Sequence, residues 1–94
     1  MKWLENRNLA VPWYLMTSYL YYHLDESLIE DHEYDSLANF LLENFDAIEH
    51  WHKQLISKED LLAGSCFLRE DQFPLITKDT ALHLLAIKQK RKTK

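Results

Sequence analysis

The stretch PWYLMTSYLYYHLDESLIEDHEYDSLANFLLENF, Pro12 to Phe45, decides the fold class. In its first part, Trp13, Leu15, Met16, Tyr19, Leu20, Tyr21, Tyr22 and Leu24 nearly encircle a helical axis. A helix that is apolar almost all round is central in its fold, or faces a partner or ligand as well as a core. Pro12 suits a first helical position, where its missing N–H costs nothing, so the first helix is read as 12–25. The second part is one-sided. Tyr34, Leu37, Leu41, Phe45, Ile48 and Leu55 recur at steps of three and four, with one double step. Asp31 and Glu33 lie in its first turn, where carboxylates complement the helix dipole. This predicts a second helix from Asp31 to His52 or further. The connector Glu26–Glu30 is short enough to fold the two into an antiparallel helical hairpin.

Outward from the hairpin the chain is less regular. Residues 1–10 read as an irregular arm with Trp3, Leu4 and Leu9 as anchors. Ser57-Lys58-Glu59-Asp60 carries a weak N-cap pattern and Gly64 is a natural stop, which predicts a short helix over 58–63. Residues 65–76, with Cys66, Phe67, Phe73 and Pro74, read as a loop or short extended piece. Thr77 caps a last helix over 78–90, with Ala81, Leu82, Leu84, Leu85 and Ile87. A single Gly and two Pro among 94 residues leave little for tight hairpin turns. The expected fold is therefore all-α: a small bundle of three to four helices built on the hairpin. One domain, 1–87, precedes a basic disordered tail, 88–94, that should be removable without loss of fold.

Composition limits the function classes. Fifteen acids and eleven bases give a net charge of −4, but residues 88–94 hold five of the bases and no acid. Nine acids and no Lys or Arg lie between Asp25 and Glu49. Such a run is either a solvated acidic face or a patch that docks on a basic partner. Five charges at a chain end touch nucleic acid without reading its sequence, so nucleic acid enters only indirectly or through the tail. Cys66 has no second Cys to pair with, which fits a reducing compartment. No apolar run reaches the ~18 residues of a membrane span, and residues 1–10 show no signal peptide. The expectation is a cytoplasmic protein with no membrane contact.

Helical spacing puts Asp31, Tyr34 and Asp35 on one face of the second helix. Ser18, Tyr21, Tyr22 and Asp25 share one side near the end of the first, so the two groups meet at the closed end of the hairpin. Aromatic faces beside carboxylates suit a flat, positively charged ring carrying a sugar. The rings supply stacking and cation–π attraction, and the carboxylates accept hydrogen bonds from ribose hydroxyls. The alternative is purely structural: Tyr34 and Leu37 pack one helix on the other, while Asp31 and Asp35 cap and solubilise.

The run Tyr21-Tyr22-His23-Leu24-Asp25-Glu26-Ser27-Leu28-Ile29-Glu30-Asp31-His32-Glu33-Tyr34-Asp35-Ser36-Leu37 resembles the N-terminal nicotinamide-mononucleotide-recognition domain of NAD-dependent DNA ligases. That family's pattern is Tyr, Tyr or His, two spacers, Asp, x, Pro, x, Ile or Val, Ser or Thr, Asp, x, x, Tyr, Asp, x, Leu. The resemblance implies a small helical domain that contacts the mononucleotide half of NAD through Tyr21, Tyr22, Asp31, Tyr34 and Asp35. The segment is also similar to small proteins of large tailed phages, which implies a host or phage protein as partner and the host-cell cytoplasm as location. Ser27 stands where the ligases have Pro, and Glu30 where they have a capping Ser or Thr. The ligase nucleophile motif Lys-x-Asp-Gly does not occur, since the single Gly64 follows Ala63. No catalytic residue is therefore assigned. Incubation with NAD labelled in its adenylyl group should leave no covalent adduct; a labelled lysine would overturn this.

Other chemistry is weakly signalled. His50 and His52 are two apart on the expected helix, which points them to different sides, whereas metal pairs want three or four. His83 and Cys66 have no partner at a metal-ligand spacing, and no base is placed beside Cys66. No metal and no required cofactor are expected, with nicotinamide mononucleotide or NAD the one candidate ligand. The functional expectation is a non-enzymatic interaction protein that modulates a host or phage partner through the aromatic and acidic hairpin end. A nicotinamide-nucleotide accessory or sensor is the second reading. An acidic mimic of DNA that blocks a nucleic-acid enzyme is the third.

Overall fold

The computed structural model describes residues 6–50, 52–63 and 68–92. Among them the regular elements are four α-helices joined by short 3-10 turns, with no strand. The expected all-α bundle is the observed class. Trp3, Leu4, Gly64, Cys66 and Phe67, read above as anchors, a helix stop and loop residues, lie outside the described residues.

Helix α1, Ala10–His23, is the centre of the fold. A 3-10 turn over Arg7–Leu9 leads into it, started by the Asn6 side chain, which accepts the Asn8 N–H at 3.2 Å. Pro12 is thus the third helical residue, still in the turn whose N–H groups have no partner inside the helix. Nine residues of α1 are buried, among them Val11, Tyr14, Leu15, Met16, Tyr19 and Leu20. The absence of a single apolar stripe has its cause here: α2 packs on one flank and α4 on another. The helix stops at His23, two residues short of the expected Asp25, and Leu24 is its C-cap. Asp25 follows with a φ of 54°, the left-handed conformation that Asp tolerates better than most residues. The chain then turns back, so that Leu20 O accepts the N–H of both Leu24, at 3.2 Å, and Glu26, at 2.9 Å.

Helix α2, Asp31–Asn44, begins where expected. The Glu33 carboxylate accepts the Glu30 N–H at 3.2 Å, so acidic residues do the capping in place of Ser or Thr. Its end corrects the sequence reading, which carried the helix to His52. At Asn44 the side-chain amide donates to Phe40 O at 2.9 Å, and a 3-10 turn over Phe45–Ala47 follows. Asn is a poor helix former, and it is the last residue of the helix here. The apolar period misled because a 3-10 turn also returns to the same face every three residues. Ile48 is buried in extended backbone after this turn. Leu55 is half-buried in another turn, Lys53–Leu55. Asn8 Oδ1 accepts the Glu49 N–H at 2.9 Å and ties this segment to the start of the chain.

Helix α3, Lys58–Ala63, is capped by Ser57, whose hydroxyl accepts the Asp60 N–H at 3.1 Å. It lies against α2 and contributes Leu61 to the core. Helix α4, Leu75–Lys92, is longer at both ends than expected. It starts directly after Pro74, whose carbonyl accepts the Lys78 N–H at 3.1 Å. Thr77 is therefore buried inside the first turn and is not a cap. Leu75 and Ile76 escaped the periodic reading because both are exposed. At the other end the helix continues to Lys92, through most of the run expected to be a disordered tail. No helix of the described residues is long and apolar enough to cross a membrane.

Candidate functional site

The closed end of the α1–α2 hairpin holds a cleft of about 240 Å³. Tyr21 and Tyr22 line it from α1, and Asp31, Tyr34 and Asp35 from α2. The five residues singled out from the sequence thus surround one space. Asp25, grouped with them by helical spacing, instead makes the left-handed turn that ends α1.

Each wall is built differently. Tyr34 is half-buried and fastened: its ring stacks on Tyr14 with centroids 5.6 Å apart and planes at 16°. Its hydroxyl shares a hydrogen bond of 2.7 Å with the buried Ser18 hydroxyl. Tyr21 lies nearly parallel to Tyr34 at 6.3 Å, and Tyr22 meets Tyr21 edge-on at 5.0 Å. Tyr21 and Tyr22 remain 49% and 41% exposed, so the aromatic wall runs from a fixed ring to a rim open to solvent. Asp31 and Asp35 stand one helical turn apart, both exposed, and neither pairs with a cation among the described residues. The cleft therefore presents ring faces and unspent carboxylate acceptors, a combination that attracts cationic, hydroxyl-bearing groups and repels anions.

Sequence reasoning missed the floor and the far wall. Thr17 lies in the floor, with its hydroxyl spent on Trp13 O at 2.8 Å and Tyr14 O at 3.1 Å. The connector residues Ser27, Leu28 and Ile29 complete the lining. Behind them stands Lys88 of α4, whose ammonium donates to Ser27 O at 2.8 Å and Leu28 O at 3.1 Å. This is a second correction to the expected tail. A signal for it was present, because Lys88 follows the buried Ala81 and Leu85 by seven and three residues and shares their face.

Neither histidine lies in a helix: His50 is in irregular chain, and His52 precedes the 3-10 turn over Lys53–Leu55. Their rings lie 5.3 Å apart, and His50 Nδ1 accepts the His52 N–H at 3.1 Å. Among the described residues no third ligand joins them in a metal-binding group. Burial holds both imidazoles below the usual value of 6.5, and the charge of His52 lowers His50 further. A proton on His50 Nδ1 would also end the bond to the His52 N–H. The folded form thus takes up protons less readily than the unfolded chain. The stability these two neutral imidazoles contribute is present above the ordinary histidine pKa of ~6.5 and is lost as pH falls below it. Thermal melting should shift down between pH 7.5 and 5.5, where most carboxylates stay ionised, and His52→Gln should flatten the dependence. A melting temperature constant over that interval would contradict this.

No protein-family model, curated protein or solved structure matches this chain.

Proposed function

We propose that the protein is a non-enzymatic binding module acting through the closed end of its hairpin, and that the cleft there takes a flat cationic ring bearing a ribose, as in nicotinamide mononucleotide. The observation that carries this reading is the single cleft lined together by Tyr21, Tyr22, Asp31, Tyr34 and Asp35. These residues also carry the resemblance to the ligase domain. A cleft of about 240 Å³, small beside the ~300–1,000 Å³ of larger ligand pockets, suits one ring with its sugar. Asp31 and Asp35, which pair with no cation among the described residues, repel a phosphate, so the riboside should bind at least as tightly as the mononucleotide.

Titration calorimetry with nicotinamide riboside, the mononucleotide and NAD tests this. Riboside binding should be weak, with a dissociation constant of ~0.1–1 mM, or about −4 to −5.5 kcal/mol, and Asp35→Ala should abolish it. Absence of heat for all three ligands at millimolar concentration would overturn the small-ligand reading.

A second reading rests on a different observation. Tyr21, Tyr22 and Leu24 are all exposed at the end of a helix that is otherwise mostly buried. Aromatic rings beside carboxylates are a surface on which a partner's Arg side chains stack and pair. Under this reading the module docks on a host or phage protein. Tyr21→Ala and Asp35→Ala should then release that partner in a pull-down while both variants stay folded.

A further inference from the structure

We propose that Lys88 is a positioning residue of the hairpin cleft: from the far end of α4 it clamps the connector that forms the cleft's third wall. The connector between α1 and α2 has no regular structure. Nearby residues hold it at its two ends: Glu26 N–H bonds Leu20 O at 2.9 Å, Glu30 N–H bonds the Glu33 carboxylate at 3.2 Å, and Glu30 O accepts the Tyr34 N–H at 2.9 Å. Between these anchors lie Ser27, Leu28 and Ile29, the three residues that line the cleft. Two adjacent carbonyls of this span converge on one ammonium, at 2.8 Å from Ser27 and 3.1 Å from Leu28.

The chemistry of that contact is selective. Successive carbonyl oxygens pointing the same way repel one another, and a single cation satisfies both through charge-assisted bonds stronger than neutral ones. Lys supplies several donors from one point, and its long stem reaches over apolar surface to place them. Lys88 is half-buried on the inward face of α4, next to buried Leu85, so the helix dictates where the ammonium sits. Sixty residues of chain separate Lys88 from Leu28. The shape of the cleft therefore depends on the last turns of α4, and an uncharged isostere at position 88 leaves the connector carbonyls to solvent and lets the wall move.

This inference rests on the cleft being the binding site, but the clamp itself is measurable without any ligand. Amide hydrogen exchange of the full chain, followed residue by residue by NMR, should be compared for wild type, Lys88→Met and Lys88→Arg. In Lys88→Met the Glu26 and Glu30 amides should exchange at least tenfold faster, while amides at the centres of α1 and α2 keep their protection. Lys88→Arg should restore most of the difference. Unchanged exchange at Glu26 and Glu30 in Lys88→Met overturns the clamp. If Lys88→Met unfolds, the wild type decides through the order parameter of the Lys88 side-chain nitrogen. A value as low as that of solvent-exposed lysines also overturns it. Nicotinamide riboside should bind Lys88→Met at least fivefold more weakly than wild type. Failure of the riboside to bind wild type would sink the proposed ligand and leave the exchange result to judge the clamp.

Discussion

Leu37→Ala and Leu41→Ala should each lower stability by ~2–5 kcal/mol, the range for truncating a fully buried leucine. Both side chains are 0% exposed, one turn apart on the inward face of α2, in the core shared with Leu15 and Leu20 of α1. The cost has two parts: the lost transfer of the removed carbons out of water, and the cavity left because neighbours relax only partly. A domain of this size commonly has about 5–10 kcal/mol in total, so either variant should be marginal and the double variant unfolded at 37 °C. Chemical denaturation read by tryptophan fluorescence measures this. An unchanged midpoint in both would mean that α2 presents another face to α1.

Phe73→Ala should cost a comparable ~3–5 kcal/mol, although Phe73 falls in a segment whose sequence reads as a loop. The side chain is 3% exposed. Its ring packs on Tyr19 with centroids 5.4 Å apart and meets the His23 ring nearly perpendicularly, also at 5.4 Å. His23 Nε2 hydrogen-bonds Leu68 O at 2.9 Å, so the ring cluster pins the segment before α4 to the end of α1. Phe73→Leu keeps most of the buried carbon and should lose less than half as much. Urea unfolding of both variants tests the ranking. A Phe73→Ala loss below ~1 kcal/mol would show that the segment merely rests on the core.

The segment from Pro12 to Phe45 was legible because its physics is local. Helical periodicity, the acids at the start of α2 and the short connector operate within a few residues of one another. They suffice to place Tyr21, Tyr22, Asp31, Tyr34 and Asp35 at one end of a hairpin. The all-α class follows from the same patterns together with the scarcity of turn glycines. The end of α2 at Asn44 is local but was not legible, because the apolar period runs on through the 3-10 turn that follows. Two features came only with the tertiary structure. Phe73 becomes a core residue only when its loop folds onto Tyr19 and His23. Lys88 looked like the first residue of a solvated basic run, because a charge carries no mark of the partner it will meet sixty residues away. Local spacing encodes which face a side chain occupies on its own helix. Which carbonyls, rings or carboxylates arrive opposite that face depends on how the helices pack, and here the packing of α4 on α1 brings Lys88 to the connector wall of the cleft.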